Sequence, residues 1–96
     1  MFYCVAYDIR SNNLRLKVSK HCLRIGLVRV QKSVFMGRSL PRLMTGFEAE
    51  VRVLLPATDR FFLLPLDQPG FESLLFLGKT TDLAVLFMKK KAIRHF

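Results

Sequence analysis

Apolar residues follow two rhythms along this chain, and the changes between them predict its elements. The opening stretch, Phe2-Tyr3-Cys4-Val5-Ala6-Tyr7-Asp8-Ile9, is aromatic and β-branched, with no glycine or proline inside it. That composition predicts a strand. Ser11-Asn12-Asn13 supply helix-capping side chains. Leu14, Val18, Cys22 and Ile25 then recur at helical spacing, with Lys17, Lys20 and Arg24 on another face and Gly26 as the stop. Leu27 to Met36 switch to a period of two and read as one strand. In that strand Val28, Val30 and Val34 point one way, and Arg29, Gln31, Ser33 and Phe35 the other. The valine face is expected against the helices, and Gly37 closes the strand.

Leu40 to Leu55 return to helical spacing. Pro41 suits the first turn, and Leu43, Phe47, Val51 and Leu54 or Leu55 make the buried stripe before Pro56 ends it. Phe61 to Leu66 read as a third strand, which Pro65 confines to an edge or a strand end. Asp67-Gln68-Pro69-Gly70 reads as a turn and Leu74 to Leu77 as a fourth strand. Leu83 to Met88 is a further strand or a short helix, followed by the basic run Lys89-Lys90-Lys91. Helices between the first and second strands and between the second and third describe an α+β, ferredoxin-like sandwich of βαββαβ type. Its four-stranded antiparallel sheet carries both helices on one face. Residues 1–79 are expected to form this domain, and residues 80–96 a C-terminal strand or tail that can exchange with a partner. Phe2, Cys4, Ala6 and Asp8, with Arg29, Gln31 and Phe35, are expected on the helix-free face, where partly apolar character suits a homodimer.

Composition sharpens this picture. Ninety-six residues make one domain. A mean hydropathy of +0.25 sits beside a net charge of +9, so some apolar surface is expected against a second copy of the chain. Sixteen basic residues against seven acidic ones, with a pI near 10.3, point to a polyanionic partner, with nucleic acid leading. No apolar run approaches the ~20 residues of a membrane span, and no leader precedes the first strand, so a cytoplasmic protein without membrane contact is expected. Cys4 and Cys22 have no metal-type spacing and read as small hydrophobes.

One residue stands apart. Asp8 is the only acidic residue among the first 47, which carry nine Lys or Arg. Two readings stay open: it caps the following helix, or it holds a divalent metal near a phosphate. His21, His95 and Ser33 lack partners for base or nucleophile chemistry, and neither a phosphate-cradling glycine loop nor a zinc motif occurs.

Tyr3-Cys4-Val5-Ala6-Tyr7-Asp8-Ile9, Arg15-Leu16-Lys17-Val18, and Val30-Gln31-Lys32-Ser33-Val34-Phe35 with Gly37-Arg38 resemble the CRISPR-associated Cas2 family of spacer-acquisition proteins. Leu64-Pro65-Leu66 and Leu77-Gly78-Lys79 add to the resemblance. It implies a ferredoxin-like homodimer that sits between dimers of the integrase Cas1 and braces protospacer duplex DNA. It also implies a metal-dependent endonuclease on RNA or DNA, with Asp8 of each protomer near the dimer axis as catalytic and metal-binding residue. Arg15, Arg29, Ser33 and Phe35 match positions tied to that site or interface. The chain departs from the family pattern at Leu14, where a basic residue is common, and at Met36, where an acidic one is.

Two Asp8 carboxylates can hold one Mg²⁺ with several waters, whereas a two-metal site needs more carboxylates than the basic half offers. Binding needs less. Arg15, Lys17, Lys20, Arg24, Arg29, Lys32 and Arg38 can neutralise phosphates without reading sequence, so a scaffold role is favoured over catalysis. The alternative is a stand-alone, toxin-like, metal-dependent endoribonuclease on the same fold. A base-stacking RNA module ranks last, since its Lys/Arg-Gly-aromatic signature is missing.

Overall fold

Alternation in β1 (Phe2–Asp8) sorts its side chains between two environments. Tyr3, Val5, Tyr7 and the following Ile9 join the main core, while Cys4 packs into a second cluster on the opposite side. The computed structural model describes residues 1–73. Their order is β1, α1 (Asn12–Arg24), β2 (Val28–Gln31), β3 (Val34–Arg38), α2 (Pro41–Leu54), β4 (Arg60–Leu66) and α3 (Gln68–Glu72). The strands form one antiparallel sheet in the order β2-β3-β1-β4, with β1 central and pairing with β3 and β4. Both long helices contribute buried residues to the core on one face, which is the expected α+β, ferredoxin-like arrangement. The segments expected at Leu74 to Leu77 and Leu83 to Met88, the lysine run, His95 and the tail from 80 to 96 lie outside the described residues.

Helix α1 starts and stops as its sequence dictates. Ser11 is the N-cap, and its Oγ accepts from the Leu14 amide at 3.2 Å. At the other end Leu27 N–H donates to Cys22 O (3.0 Å) and Gly26 N–H to Leu23 O (3.2 Å), the paired bonds of a Schellman turn. Gly26 adopts φ +99°, and a Cβ there would also meet the Arg38 carbonyl at 3.1 Å. Val18, Cys22 and Ile25 are buried and Leu14 packs against them, as the spacing predicts.

Three expectations are corrected. The stretch read as one strand, Leu27 to Met36, is a hairpin: β2 turns through Lys32-Ser33 into β3. It therefore supplies two strands, and the sheet has four strands by residue 66. The faces of this stretch are also inverted. Phe35 is fully buried in the helix-side core, whereas Val30 and Met36 are buried on the other side with half-buried Val28 and Val34 packed against them. The helix-side cluster supplies aromatic neighbours, and Phe35 stacks there with Tyr7 at a centroid separation of 6.3 Å. Finally, Asp67-Gln68-Pro69-Gly70 is the start of a helix. Asp67 Oδ1 accepts from the Gly70 amide at 2.8 Å, and Phe71 of α3 stacks on Phe2 with centroids 4.0 Å apart.

In α2 the buried stripe is Met44, Phe47 and Val51. Leu43 and Leu54 remain 40% and 37% exposed, and Leu55 packs against the core from the C-cap. Positions 43 and 44 both fall within a helical stripe that contains Phe47 and Val51, so spacing alone does not choose between them. β4 alternates as expected: Phe61 and Leu63 pack on the core, and Phe62 (52%) and Leu64 (43%) are exposed. Among the described residues β4 pairs on one side only, which fits Pro65.

Candidate functional site

The β1 terminus, the loop into α1 and the β2–β3 turn converge. Tyr7, Asn12, Arg15, Leu16, Ser19, Arg29, Lys32 and Ser33 line a cleft of about 220 Å³ that contains no carboxylate. Of the cations expected to bind nucleic acid, this cleft gathers Arg15, Arg29 and Lys32.

Their surroundings differ. Arg15 is half-buried and largely occupied: Nη1 donates to the carbonyls of Ile9 (2.7 Å) and Arg10 (3.1 Å), and Nη2 to the Asn12 side chain. It closes the loop that leads from Asp8 into α1, a structural task that its resemblance to a site position did not reveal. Arg29 is exposed but held in place. Its guanidinium lies 5.1 Å from the Phe35 ring centroid, and its side chain hydrogen-bonds Tyr7. Burial pushes the Tyr7 phenol up, and the Cys22 sulfur adds to the rise, while Arg29 and Arg15 pull it back. The phenol stays neutral at physiological pH, and its oxygen accepts from Arg29. Lys32, at the turn, is exposed, and Ser33 beside it is half-buried, with its carbonyl accepting from Tyr7 N–H at 3.2 Å.

Phe35 and Arg29 thus belong together, although they lie on the helix-side face and not on the helix-free face where they were expected. Phe35 supports the site as a buried platform. Sequence reasoning missed Tyr7, whose hydroxyl orients Arg29; a tyrosine beside Asp8 in a strand carries no signal that distinguishes it from a core aromatic.

Asp8 ends β1 and is exposed, opposite Arg60 in the β1–β4 register. Among the described residues its carboxylate takes no hydrogen bond or ion pair. The helix-capping reading is overturned, because Ser11 fills that role. A shallow depression of about 240 Å³ beside Asp8 is lined by Ala6, Tyr7, Arg60, Phe61 and Phe62. Among the described residues no group of three or more His, Cys, Asp or Glu side chains is placed to hold a metal.

The remaining expected cations lie elsewhere. Lys17, Lys20 and Arg24 line a separate cleft towards α2, and Arg38 sits over the Phe2 ring, 5.0 Å from its centroid. His21 is not free for base chemistry, since its Nδ1 lies 2.7 Å from Glu50. Both cysteines are free, and burial raises both thiols, Cys22 to about 12. No helix among the described residues is long and apolar enough to cross a membrane.

The family described as CRISPR associated protein Cas2 matches residues 1–73. A protein of Aeropyrum pernix named CRISPR-associated endoribonuclease Cas2 is 42% identical over 85 residues, which cover 85% of this chain and 90% of that one. A protein of Pyrobaculum aerophilum named CRISPR-associated endoribonuclease Cas2 2 is 32% identical over 79 residues, covering 81% and 87%. Among solved structures, Streptococcus pyogenes Cas2 aligns with a TM-score of 0.67 and 25% identity, covering 81% of this chain and 100% of that one. A hypothetical protein from Thermus thermophilus aligns with a TM-score of 0.68 and 30% identity, covering 83% and 93%.

Proposed function

Because this chain belongs to the CRISPR-associated Cas2 family, we propose that it acts as a homodimeric scaffold that braces protospacer duplex DNA beside the integrase Cas1, in the cytoplasm, during spacer acquisition. The observation that carries the binding half of this reading is the cleft at the β1 terminus, where Arg29 and Lys32 meet Ser33 and Asn12 with no carboxylate among its walls. Arg29 is held by Phe35 and Tyr7, so little side-chain freedom is lost when it meets a phosphate. Such contacts position a backbone and carry no base information. The homodimer is supported by Phe62 and Leu64, which leave apolar surface on a strand that is paired on one side only among the described residues.

Asp8 favours a second reading, metal-dependent nuclease activity, because it is exposed and takes no hydrogen bond or ion pair among the described residues. A hard carboxylate oxygen without a protein partner fits Mg²⁺, and two copies of Asp8 brought together by dimerisation would hold it with several waters. Bound there, Mg²⁺ would supply Lewis-acid stabilisation of charge on a phosphate. Arg29 and Lys32 would hold the neighbouring phosphates, and Tyr7 would keep Arg29 aimed.

One gel series tests both readings. Labelled duplex DNA and single-stranded RNA are incubated with Mg²⁺ and either wild-type protein or Asp8→Asn, at low and moderate salt. Equal, salt-sensitive shifts with intact strands support the scaffold. Cutting by wild type, with binding but no cutting by Asp8→Asn, supports the nuclease. Failure of wild type to shift either strand at low salt rejects both.

A further inference from the structure

On the outer side of α1, Leu16, Lys20 and Leu23 form a row at i, i+4 and i+7. Both leucines are half exposed, at 54% and 53%. Lys17, Lys20, Leu23 and Arg24, with Glu50 from α2, line a cleft of about 480 Å³. Among the described residues the side chains of Lys17, Lys20 and Arg24 take no hydrogen bond or ion pair, whereas Glu50 is engaged by His21 at 2.7 Å. The cleft therefore sets three cations and one carboxylate beside Leu23, and the exposed row continues along α1 to Leu16, at the edge of the Arg29 cleft.

A nucleic-acid backbone satisfies only half of that combination. Its phosphates would pair with the three cations, but it offers nothing to bury Leu16 and Leu23. An amphipathic helix with carboxylates beside its apolar stripe satisfies both, since its leucines fill the space along the row while its acids meet the rim. The cations of this chain accordingly fall into two sets. Arg29 and Lys32 are grouped with Ser33 and Asn12, polar groups suited to phosphate, with Leu16 at the edge, and Lys17, Lys20 and Arg24 are grouped with Leu23 and Glu50 and no neutral polar side chain. We infer that the cleft between α1 and α2, with the leucine row beside it, is a docking site for an acidic amphipathic helix of a protein partner, and that this docking does not depend on Arg29 or Lys32.

The test uses the full chain and fluorescence anisotropy with three labelled probes. One is a Glu-rich peptide of about five helical turns with leucines at i, i+3, i+4 and i+7. The second is a scrambled peptide of identical composition, and the third is a short duplex DNA. The helical peptide is expected to bind and the scrambled one to bind at least about tenfold more weakly. Lys20→Glu and Leu23→Ser should each weaken the helical peptide by about tenfold or more, with Arg29→Ala neutral. Leu23→Ser should leave duplex binding unchanged. Circular dichroism checks folding, and Leu23→Ala serves as a second removal of apolar surface. Equal binding of both peptides, or no effect of either leucine substitution, overturns the proposal. So does a cleft whose Lys20→Glu variant loses duplex binding while no peptide binds, which would make it part of the nucleic-acid surface.

Discussion

The guanidinium of Arg29 lies 5.1 Å from the centroid of Phe35, its cross-strand partner in the β2–β3 register. The ring is fully buried and the guanidinium is exposed, so the core sets the direction of a surface charge. A cation over a ring face gains about 0.5–1 kcal/mol at an exposed site. Arg29→Ala should lower duplex affinity and reduce the slope of log affinity against log salt by about 0.9. Phe35→Leu keeps the charge and removes the ring. It should lower affinity while leaving the slope unchanged, and cost about 1–3 kcal/mol of stability. Anisotropy titrations across a salt series separate the two effects.

Asp8 and Ser11 are separated by denaturation. Asp8 takes no hydrogen bond or ion pair among the described residues, so Asp8→Asn should leave stability within about 0.5 kcal/mol of wild type. Ser11→Ala removes the bond to the Leu14 amide and should cost about 1 kcal/mol. Urea unfolding measures both. A loss for Asp8→Asn as large as that for Ser11→Ala would mean that Asp8 has a structural role the fold does not account for.

Two glycines should respond in opposite directions to alanine. Gly46 lies within α2 with nothing within 4 Å of an added Cβ, so Gly46→Ala should stabilise by about 0.5–1 kcal/mol. Gly26 holds φ +99° at the end of α1, with the Arg38 carbonyl 3.1 Å from an added Cβ. Gly26→Ala should destabilise by about 1–2 kcal/mol. Midpoints of thermal unfolding report both signs.

Cys22 makes stability fall in alkali. Burial raises its thiol to about 12 in the folded chain, from an ordinary value near 9.0. Between those values the unfolded chain loses a proton that the native chain keeps, so stability is fully present below about pH 9 and declines above it. The slope from this one group approaches about 1.4 kcal/mol per pH unit. Burial raises the half-buried Cys4 as well. A thiol-exchange reagent at pH 8 should therefore label the native chain slowly and the urea-unfolded chain fast. Cys22→Ala should be less stable at neutral pH but show a flatter alkaline decline.

Local patterns determined much of this protein. Ser11, the spacing of Leu14, Val18, Cys22 and Ile25, and Gly26 bound α1 without reference to the rest of the chain, because caps and stripes act within a few residues. The composition of β1 and the alternation of β4 were legible for the same reason. Asp8 stood out by charge alone, and the Cas2 resemblance rested on short motifs that keep their order.

The tertiary structure decided the rest. The turn at Lys32-Ser33 was invisible because, among the described residues, no residue but glycine has a positive φ; the turn needs no glycine, asparagine or aspartate and leaves no compositional mark. A period of two shows that side chains alternate but not which set faces the core, so the valines and Phe35 exchanged sides once Tyr3 and Tyr7 of the adjoining strand supplied aromatic neighbours. Lys17, Lys20 and Arg24 read as one basic face of α1 in sequence, and they share one cleft. Packing set that face apart from the other cations, because α2 closed its cleft with Glu50, while the β2–β3 hairpin carried Arg29 and Lys32 to Arg15. Which charges share a cleft depends on contacts between elements far apart in the chain, and no local rule carries that information.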